Sequence, residues 1–437
     1  MIQNVTFKGG AHIEEHKEFS EAKPIELQVL PSVVHIPLLQ GSGSVNQPLV
    51  KKGDRVLKGQ LIGSSEATFG SPVHSSVSGT VLEISPRYTA EGKRVDCITI
   101  ERDDLDEAVE FVSKNVEGNP EAKYLVSVAR EAGITGMGGG GFPFAVKLNG
   151  AINNNIDSIL ANGAECEPYL TSDHRAMVEH PAEVVSGVSL VVNALGCNAG
   201  YIAIEDNKPD AISAVDSATN DFSKVEVASM QTKFPQGDST RVIDSVLNRK
   251  VPVGERSGAV GAFVSNVNTF RALHNAYYNG IPLFERVISV TGPGVKEPKN
   301  ILTRIGTPII DLINQCGGFN GDVVAVISGG PMNGDQIFDL ESPVTKNITG
   351  IVVLTKEYMD TSRPTPCIKC DKCVSVCPSR LNPQRLEKLI LHGKYDDAKA
   401  AFAEECIQCG ACSYVCPAKR QLAQNIKLGM NEIWARN

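Results

Sequence analysis

At 437 residues the chain has room for two to four domains, each with a core of its own. Its 42% hydrophobic and 21% charged residues are ordinary for a soluble globular protein, and 40 glycines promise many tight turns. A formal net charge of −8 without any basic cluster argues against nucleic acid as a partner.

The opening MIQNVTFKGGAHIEEHKEF lacks the apolar core of a secretory signal, and no later run reaches the roughly 18 to 20 apolar residues of a spanning helix. From 25 to 101 short alternating runs broken by glycine read as β: PLVKKGDRVLKGQLIG, then SPVHSSVSGTVLEI. Val50, Val56, Leu57, Leu61 and Ile62 precede a small loop; Val73, Val77, Val81, Leu82 and Ile84 follow it. The pattern resembles the barrel-sandwich domain of lipoyl and biotinyl carriers, where a lysine at a hairpin tip receives the prosthetic group. The segment SSEATFGSPVHSS offers no lysine, so residues 1–110 are expected to form a structural or docking barrel-sandwich. Residues 103–121 are acidic and polar, a domain boundary. Leu125, Val126, Val128 and Ala129 then recur at helical spacing, with Gly133 as the stop.

The next stretch, GITGMGGGGFPFAVKL, formally contains G-x-G-x-x-G at Gly136, Gly138 and Gly141. The dinucleotide fingerprint needs a strand immediately before it, whereas a helix precedes this tract and Phe142-Pro143 follows it. What survives is physical. Gly138, Gly139, Gly140 and Gly141 let backbone N–H groups approach an anion at a helix start, with Lys147 one to two turns inside to neutralise a phosphate. A flexible linker is the alternative, but FPFAVKL is unlike linker composition.

ILANGAECEPYLTSDHRAM, FPQGDSTRVI and GAFVSNVNTFRAL follow in that order. Together the four segments resemble the flavin- and NADH-binding subunit of respiratory complex I, with its GRGGAGFP loop and later lysine, N-A-D-E-x-E-P, G-E-E and N-N-V-E-T. The resemblance implies an FMN site within an α/β domain at 120–280. Gly136, Gly138, Gly139, Lys147, Asn162, Asn266 and Thr269 would hold the phosphate and ribityl chain, with Gly140, Gly141, Gly237 and Asp238 completing the site. Phe142 would line the nicotinamide side, and Glu165 or Glu167 would contact NAD(H). Met137 replaces the family's arginine, Ala164 an aspartate, and Asp238-Ser239 the paired glutamates. Cys166 lies inside the constellation; like Cys97, Cys197 and Cys316, it reads first as a small core residue, with a redox role left open. His12, His16 and His74 read as surface or packing residues.

After Pro282 a strand, a Gly-Pro-Gly turn, the short helix GTPIIDLINQCGG and the buried strand DVVAVISGGPM resemble the soluble-ligand-binding (SLBB) β-grasp domain of the same complex I subunit. Residues 281–360 are expected to be a spacer and docking element.

Eight of the twelve cysteines then fall into two runs, Cys367-x2-Cys370-x2-Cys373-x3-Cys377-Pro378 and Cys406-x2-Cys409-x2-Cys412-x3-Cys416-Pro417. This is the two-cluster [4Fe–4S] spacing, in which three close thiolates hold one cluster and the fourth ligates the other. One cluster takes Cys367, Cys370, Cys373 and Cys416; the second takes Cys406, Cys409, Cys412 and Cys377. A zinc site needs four ligands and has no use for a doubled x2-x2-x3-Pro run. The 28 residues between Cys377 and Cys406 are too many for a compact ferredoxin loop. Leu386, Leu389 and Ile390, then Ala398, Ala401 and Phe402, indicate two short helices divided by Gly393, hence a helical ferredoxin-type module at 361–437. Thiolate clusters require a reducing compartment.

The expected fold is multidomain, α+β and α/β: barrel-sandwich, flavin domain, β-grasp, helical cluster module. In that order, with FKGGAH and PVHSSVSGTV at the front, the whole chain resembles the C subunit of the Rnf complex, a membrane-bound ferredoxin:NAD⁺ oxidoreductase coupled to ion translocation. The resemblance implies a peripheral translocase subunit on the cytoplasmic face. Its partners would be the other Rnf subunits, including an iron–sulfur subunit fed by ferredoxin, and NAD(H). Single electrons would cross two [4Fe–4S] clusters to FMN, which exchanges hydride with NAD⁺. No acid–base side chain is required, so no catalytic residue is assigned. Two alternatives stand beside it: a cobalamin-reductase-type flavoprotein of microcompartments, which typically begins at the glycine loop, and a non-catalytic iron–sulfur wire.

Overall fold

The computed structural model describes residues 1–360 and 362–436. A five-stranded, wholly parallel sheet organises the middle of the chain, in the order Ile2–Val5, Val225–Met230, Ala199–Glu205, Ser158–Gly163, Ala262–Asn266. Parallel strands need both faces covered. One face carries Phe144–Ile152, Pro181–Ala194 and Val267–Asn279, packed through Phe144, Leu148, Val188, Val191, Phe270 and Leu273. The other carries Ser239–Leu247, through Val242, Ile243 and Val246.

A six-stranded mixed sheet follows in the order Asp335–Gln336, Val323–Ser328, Gly350–Thr355, Glu285–Thr291, Lys299–Arg304, Ile25–Leu27. Its core gathers Ile288, Val290, Ile301, Ile309, Leu312, Ile351 and Val353. The barrel-sandwich is a four-stranded sheet (Val33–Pro37, Arg94–Arg102, Gly79–Tyr88, Arg55–Val56) facing a three-stranded one (Gln47–Pro48, Leu61–Ser64, Val73–His74). Val34, Ile36, Val56, Ile62, Val77, Ile98 and Ile100 are buried together in its core.

Two N-terminal strands of the expected 1–110 segment pair outside the barrel. Ile2–Val5 adds an edge strand to the five-stranded sheet, Ile2 opposite Ala228 and Val5 opposite Met230, with both side chains packed on the Ile243 side. Ile25–Leu27 adds an edge to the β-grasp sheet, so the barrel's own strands begin at Val33. An edge strand pairs with whichever sheet presents free backbone groups, and two-residue alternation does not say which. The acidic stretch 103–121 is likewise a docked strap: Phe111 stacks on Phe284 at 6.1 Å, and Lys114 N–H donates to Tyr277 O at 2.9 Å.

The C-terminal module is helical, with Pro383–Leu391 packed on Leu422–Ala435 through Leu386, Ile390, Ile426, Met430 and Ile433. Among the described residues no helix is long and apolar enough to cross a membrane.

Candidate active site

The parallel sheet reverses direction at Ser158–Gly163: the following strands step away on one side, and Ala262–Asn266 returns on the other. Such a switch point leaves a crevice beyond the carboxyl ends of the two adjoining strands. Asn162 and Asn266 face each other in register at that rim. Beside them opens a cleft of about 740 Å³, solvent at its mouth included, lined also by Gly138, Glu165, Glu167, Asp173, Gly237 and Asp238.

The glycine tract closes one wall. Gly136 N–H donates to Phe142 O at 2.8 Å, and Gly141 N–H donates to Gly136 O at 3.2 Å, making a tight loop. Gly139 sits at φ +105°, a conformation that a side chain would strain. The loop settles on the start of the helix Val267–Asn279. There Asn266 accepts the Asn268 N–H at 2.9 Å, and Thr269 Oγ1 accepts the Met137 N–H at 2.9 Å. Among the described residues, the N–H groups of Gly138, Gly139 and Gly140 donate to no protein acceptor. Three free donors beside a helix N-terminus form a cradle that fits a phosphate.

Two buried lysines fix the opposite wall. Lys17 Nζ donates to the carbonyls of Glu165 (2.7 Å), Glu167 (2.8 Å) and Leu170 (2.7 Å). Lys208 Nζ donates to Ala164 O at 2.8 Å and to Glu205 Oε2 at 3.2 Å, a buried ion pair. Burial, followed by the neighbouring Lys208 charge, lowers the Lys17 pKa from its usual value. The loop 164–170 is thus held by its carbonyls, leaving its side chains to shape the cleft.

Those carboxylates differ in employment. Glu165, at φ +47°, turns its carboxylate onto the N–H groups of Asp173 (2.7 Å) and His174 (3.0 Å), capping the helix Ser172–Glu179. Asp173 accepts from Asn266 Nδ2 at 2.6 Å and Asn268 Nδ2 at 2.7 Å, tying that helix to the one under the glycine loop. Burial, then the Glu165 charge, pushes Asp173 up to about 7. Glu167 Oε2 accepts the Met332 N–H at 3.0 Å, while its buried Oε1 meets no donor among the described residues. Burial pushes Glu167 up to about 7 as well. Asp238 caps Ser239–Leu247 through Thr240 N–H at 3.0 Å and Arg241 N–H at 3.2 Å. Asn162 Nδ2 donates to Gly237 O at 2.7 Å, and Gly237 N–H reaches Cys166 Sγ at 3.2 Å.

The eight cysteines of the two runs separate into two cavities. Cys377, Cys406, Cys409 and Cys412 line one, with Leu381, Leu386 and Ile426; Cys367, Cys370, Cys373 and Cys416 line the other, with Gln384 and Arg420. Among the described residues no set of His, Cys, Asp or Glu is drawn close enough for a single metal ion. Four thiols around a void fit a cluster's span. Burial pushes the Cys409 thiol up to about 12, so iron charge is what would hold it as thiolate. Cys367 and Cys370 are exposed. Ile407 and Cys409 line both the first cavity and the switch-point cleft, so the two share a wall.

Of the residues expected at the site, Gly138, Asn162, Glu165, Glu167, Gly237, Asp238 and Asn266 line the cleft. Gly139 and Gly140 line a second cavity behind the loop, Thr269 works from beneath it, and Phe142 packs edge-on against Phe69 at 5.8 Å. Lys147 lies off the cleft lining, its Nζ 5.6 Å from the Phe263 ring centroid, with its pKa lowered to about 8 by burial and then by Arg256. Lys17, Asp173 and Lys208 carry no sequence signal, because each acts on the site through contacts distant in sequence. Cys97, Cys197 and Cys316 are core residues, His74 is buried, and His16 stacks on Tyr169 at 4.8 Å.

Comparison with known proteins matches residues 5–105 to the RnfC barrel sandwich hybrid domain and 129–275 to the Nuo51 FMN-binding domain. Residues 287–336 match the SLBB domain and 359–426 the 4Fe-4S dicluster domain. The C subunit of the proton-translocating ferredoxin:NAD(+) oxidoreductase complex of Clostridium ljungdahlii is 41% identical over 91% of this chain and 87% of its own. Its counterpart in the Na(+)-translocating complex of Acetobacterium woodii is 40% identical over 99% and 98%. The C subunit of the ion-translocating oxidoreductase complex of Rhodobacter capsulatus is 35% identical over 91% and 77%.

Proposed function

The chain belongs to the family of C subunits of ion-translocating ferredoxin:NAD(+) oxidoreductase complexes, and from that premise we propose how its cleft and cysteine cavities divide the work. It is an NAD(H)-linked oxidoreductase subunit with an FMN-binding domain and a 4Fe-4S dicluster domain. When bound, FMN supplies exchange between single electrons and hydride, which NAD⁺ accepts or NADH gives, and clusters supply one-electron transfer. The chain's residues provide position and charge. The free N–H groups of Gly138, Gly139 and Gly140 would hold the flavin phosphate, Gly138 from the cleft lining itself, and Asn162, Gly237 and Asn266 would seat the rest. Glu167, in the cleft lining, would face NAD(H), while Phe142 packs on Phe69 off that lining. Glu165 acts by capping Ser172–Glu179 and shapes the cleft through that helix.

Cys377, Cys406, Cys409 and Cys412 ligate the cluster next to the flavin; Cys367, Cys370, Cys373 and Cys416 ligate the one at the surface. The shared Ile407–Cys409 wall carries this reading. The partner at the exposed end is an iron–sulfur subunit of the complex with an acidic face. Residues 361–437 hold 12 Lys and Arg against 7 Asp and Glu, a net of +5 in a chain of −8, and Lys369 and Lys372 flank the exposed Cys370. That docking would hold the protein peripherally at the cytoplasmic face of the membrane.

Anaerobic purification with iron and flavin quantification tests the reading. It predicts about eight iron atoms and one FMN per chain, with NADH bleaching the flavin. Eight irons without flavin, or no response to NADH, would leave the electron-wire alternative.

A further inference from the structure

The barrel-sandwich has no carrier lysine at its hairpin, yet it approaches the glycine tract more closely than van der Waals packing with any side chain would allow. A Cβ on Gly41 would stand 2.5 Å from Gly141 Cα, and Gly41 itself sits at φ +71°. At that approach the backbones join. Ser42 N–H donates to Gly141 O at 3.2 Å, and Ser42 Oγ donates to Gly140 O at 2.7 Å. The next carbonyl back, Gly139 O, accepts from Asn347 Nδ2 of the β-grasp domain at 3.2 Å. The same Nδ2 donates to Glu91 Oε1 of the barrel at 2.9 Å, and Thr345 Oγ1 donates to Asn347 Oδ1 at 2.7 Å. Met137 O accepts from Arg286 Nη2 at 3.1 Å, a guanidinium 1% exposed.

Four carbonyls of the tract are therefore engaged by residues outside the flavin domain. Across a planar peptide the N–H points opposite to the C=O. Fixing the Gly139 carbonyl rearward therefore turns the Gly140 N–H forward, and fixing the Gly140 carbonyl aims the Gly141 N–H at Gly136 O, which closes the loop. Glycine is the residue with the most backbone freedom to lose, so a four-glycine tract left to itself would spread over many conformations. Resting on the flavin-site reading above, we infer that the barrel-sandwich, joined through Glu91 to Asn347 of the β-grasp domain, is a backing plate for the flavin phosphate loop, with Ser42 and Asn347 as positioning residues that preset its donors. The domain thus raises cofactor affinity without touching the cofactor, because the entropy of ordering the loop is lost during folding and not during binding.

The test uses the full-length holoprotein, prepared anaerobically, and the variants Ser42→Ala, Asn347→Ala, their double, and Ser42→Thr. FMN release is followed by the return of flavin fluorescence, NADH response by the KM for flavin bleaching, and cluster integrity by iron content and EPR. The double variant is expected to weaken FMN binding about tenfold or more, the sum of two lost hydrogen bonds. NADH KM should rise with it, while iron content and EPR stay at wild-type values, and Ser42→Thr should recover most of the loss. Gly41→Ala is expected to do more, but it can disturb folding, and the side-chain variants carry the test without it. FMN affinity within twofold of wild type in the double variant would overturn the inference. So would a loss of flavin and clusters in parallel, which marks general destabilisation. Wild-type protein that neither holds FMN nor bleaches with NADH would overturn the parent reading together with this one.

Discussion

The two ends of the electron path are built in opposite ways. Each cysteine cavity draws three of its four thiols from one short run of chain and the fourth from the end of the other run. The cleft is assembled from segments that are distant in sequence: Lys17, 148 to 153 residues from the carbonyls it holds, and Arg286, 149 residues from Met137. Local spacing suffices where a cofactor supplies the organising bonds. Where a bound group is held by weak contacts alone, buried charges from remote elements must shape the backbone first.

Lys17 is the sharpest place to break that contrast. Lys17→Met keeps the stem and removes the donor from three buried carbonyls. Leaving such acceptors unpaired costs about 1–3 kcal/mol each, offset in part by no longer burying an ammonium. We predict a net loss of about 3 kcal/mol in thermal or denaturant unfolding, with FMN lost and the iron content of the folded fraction retained. Iron loss in proportion to flavin would show that the two ends are not independently built.

Glu167 gives a smaller effect with a definite pH sign. Its folded pKa stands near 7, raised above the usual 4.5 by burial, so the folded state favours the protonated form. Ionisation therefore costs stability that is intact below about pH 4.5 and lost as pH rises to about 7. Glu167→Gln, which preserves an acceptor for Met332 N–H, should raise stability by up to about 3 kcal/mol at pH 8 and change it little at pH 5. Equal shifts at both pH values would contradict the burial argument.

At the exposed end the smallest effect is expected. Lys369→Glu with Lys372→Glu should raise the apparent KM for the electron-delivering partner up to about tenfold at low salt, an effect that fades near 1 M salt. Cluster EPR should remain that of wild type.

Much of this was legible in the chain. The cysteine spacing named the residues that gather in each cavity, because ligand spacing is a local property. GMGGGGFP, NGAECEP and SNVNT named much of the cleft rim, because a switch point brings strand ends together wherever a parallel sheet forms. Lys17, Asp173, Arg286 and Ser42 are not legible: a lone lysine in a short 3-10 turn or a lone serine in a loop has no period or motif that announces a carbonyl far along the chain. Lys147 misled for a related reason. Helical spacing places it near the loop but not which way it faces, and it turns toward Phe263. The partners of the edge strands Ile2–Val5 and Ile25–Leu27 are not legible, because alternation reports a strand without saying which sheet it joins.

The Cys377, Cys406, Cys409 and Cys412 cavity adjoins the switch-point cleft and the Cys367, Cys370, Cys373 and Cys416 cavity does not. NADH titration of two anaerobic variants, with flavin absorbance and cluster EPR read on the same sample, addresses it. In Cys370→Ala, NADH should bleach the flavin and reduce the remaining cluster as in wild type. In Cys412→Ala, the flavin should bleach while the remaining cluster stays oxidised. The reverse pattern, with NADH reducing the cluster left in Cys412→Ala and not the one left in Cys370→Ala, would put the other cluster next to the flavin.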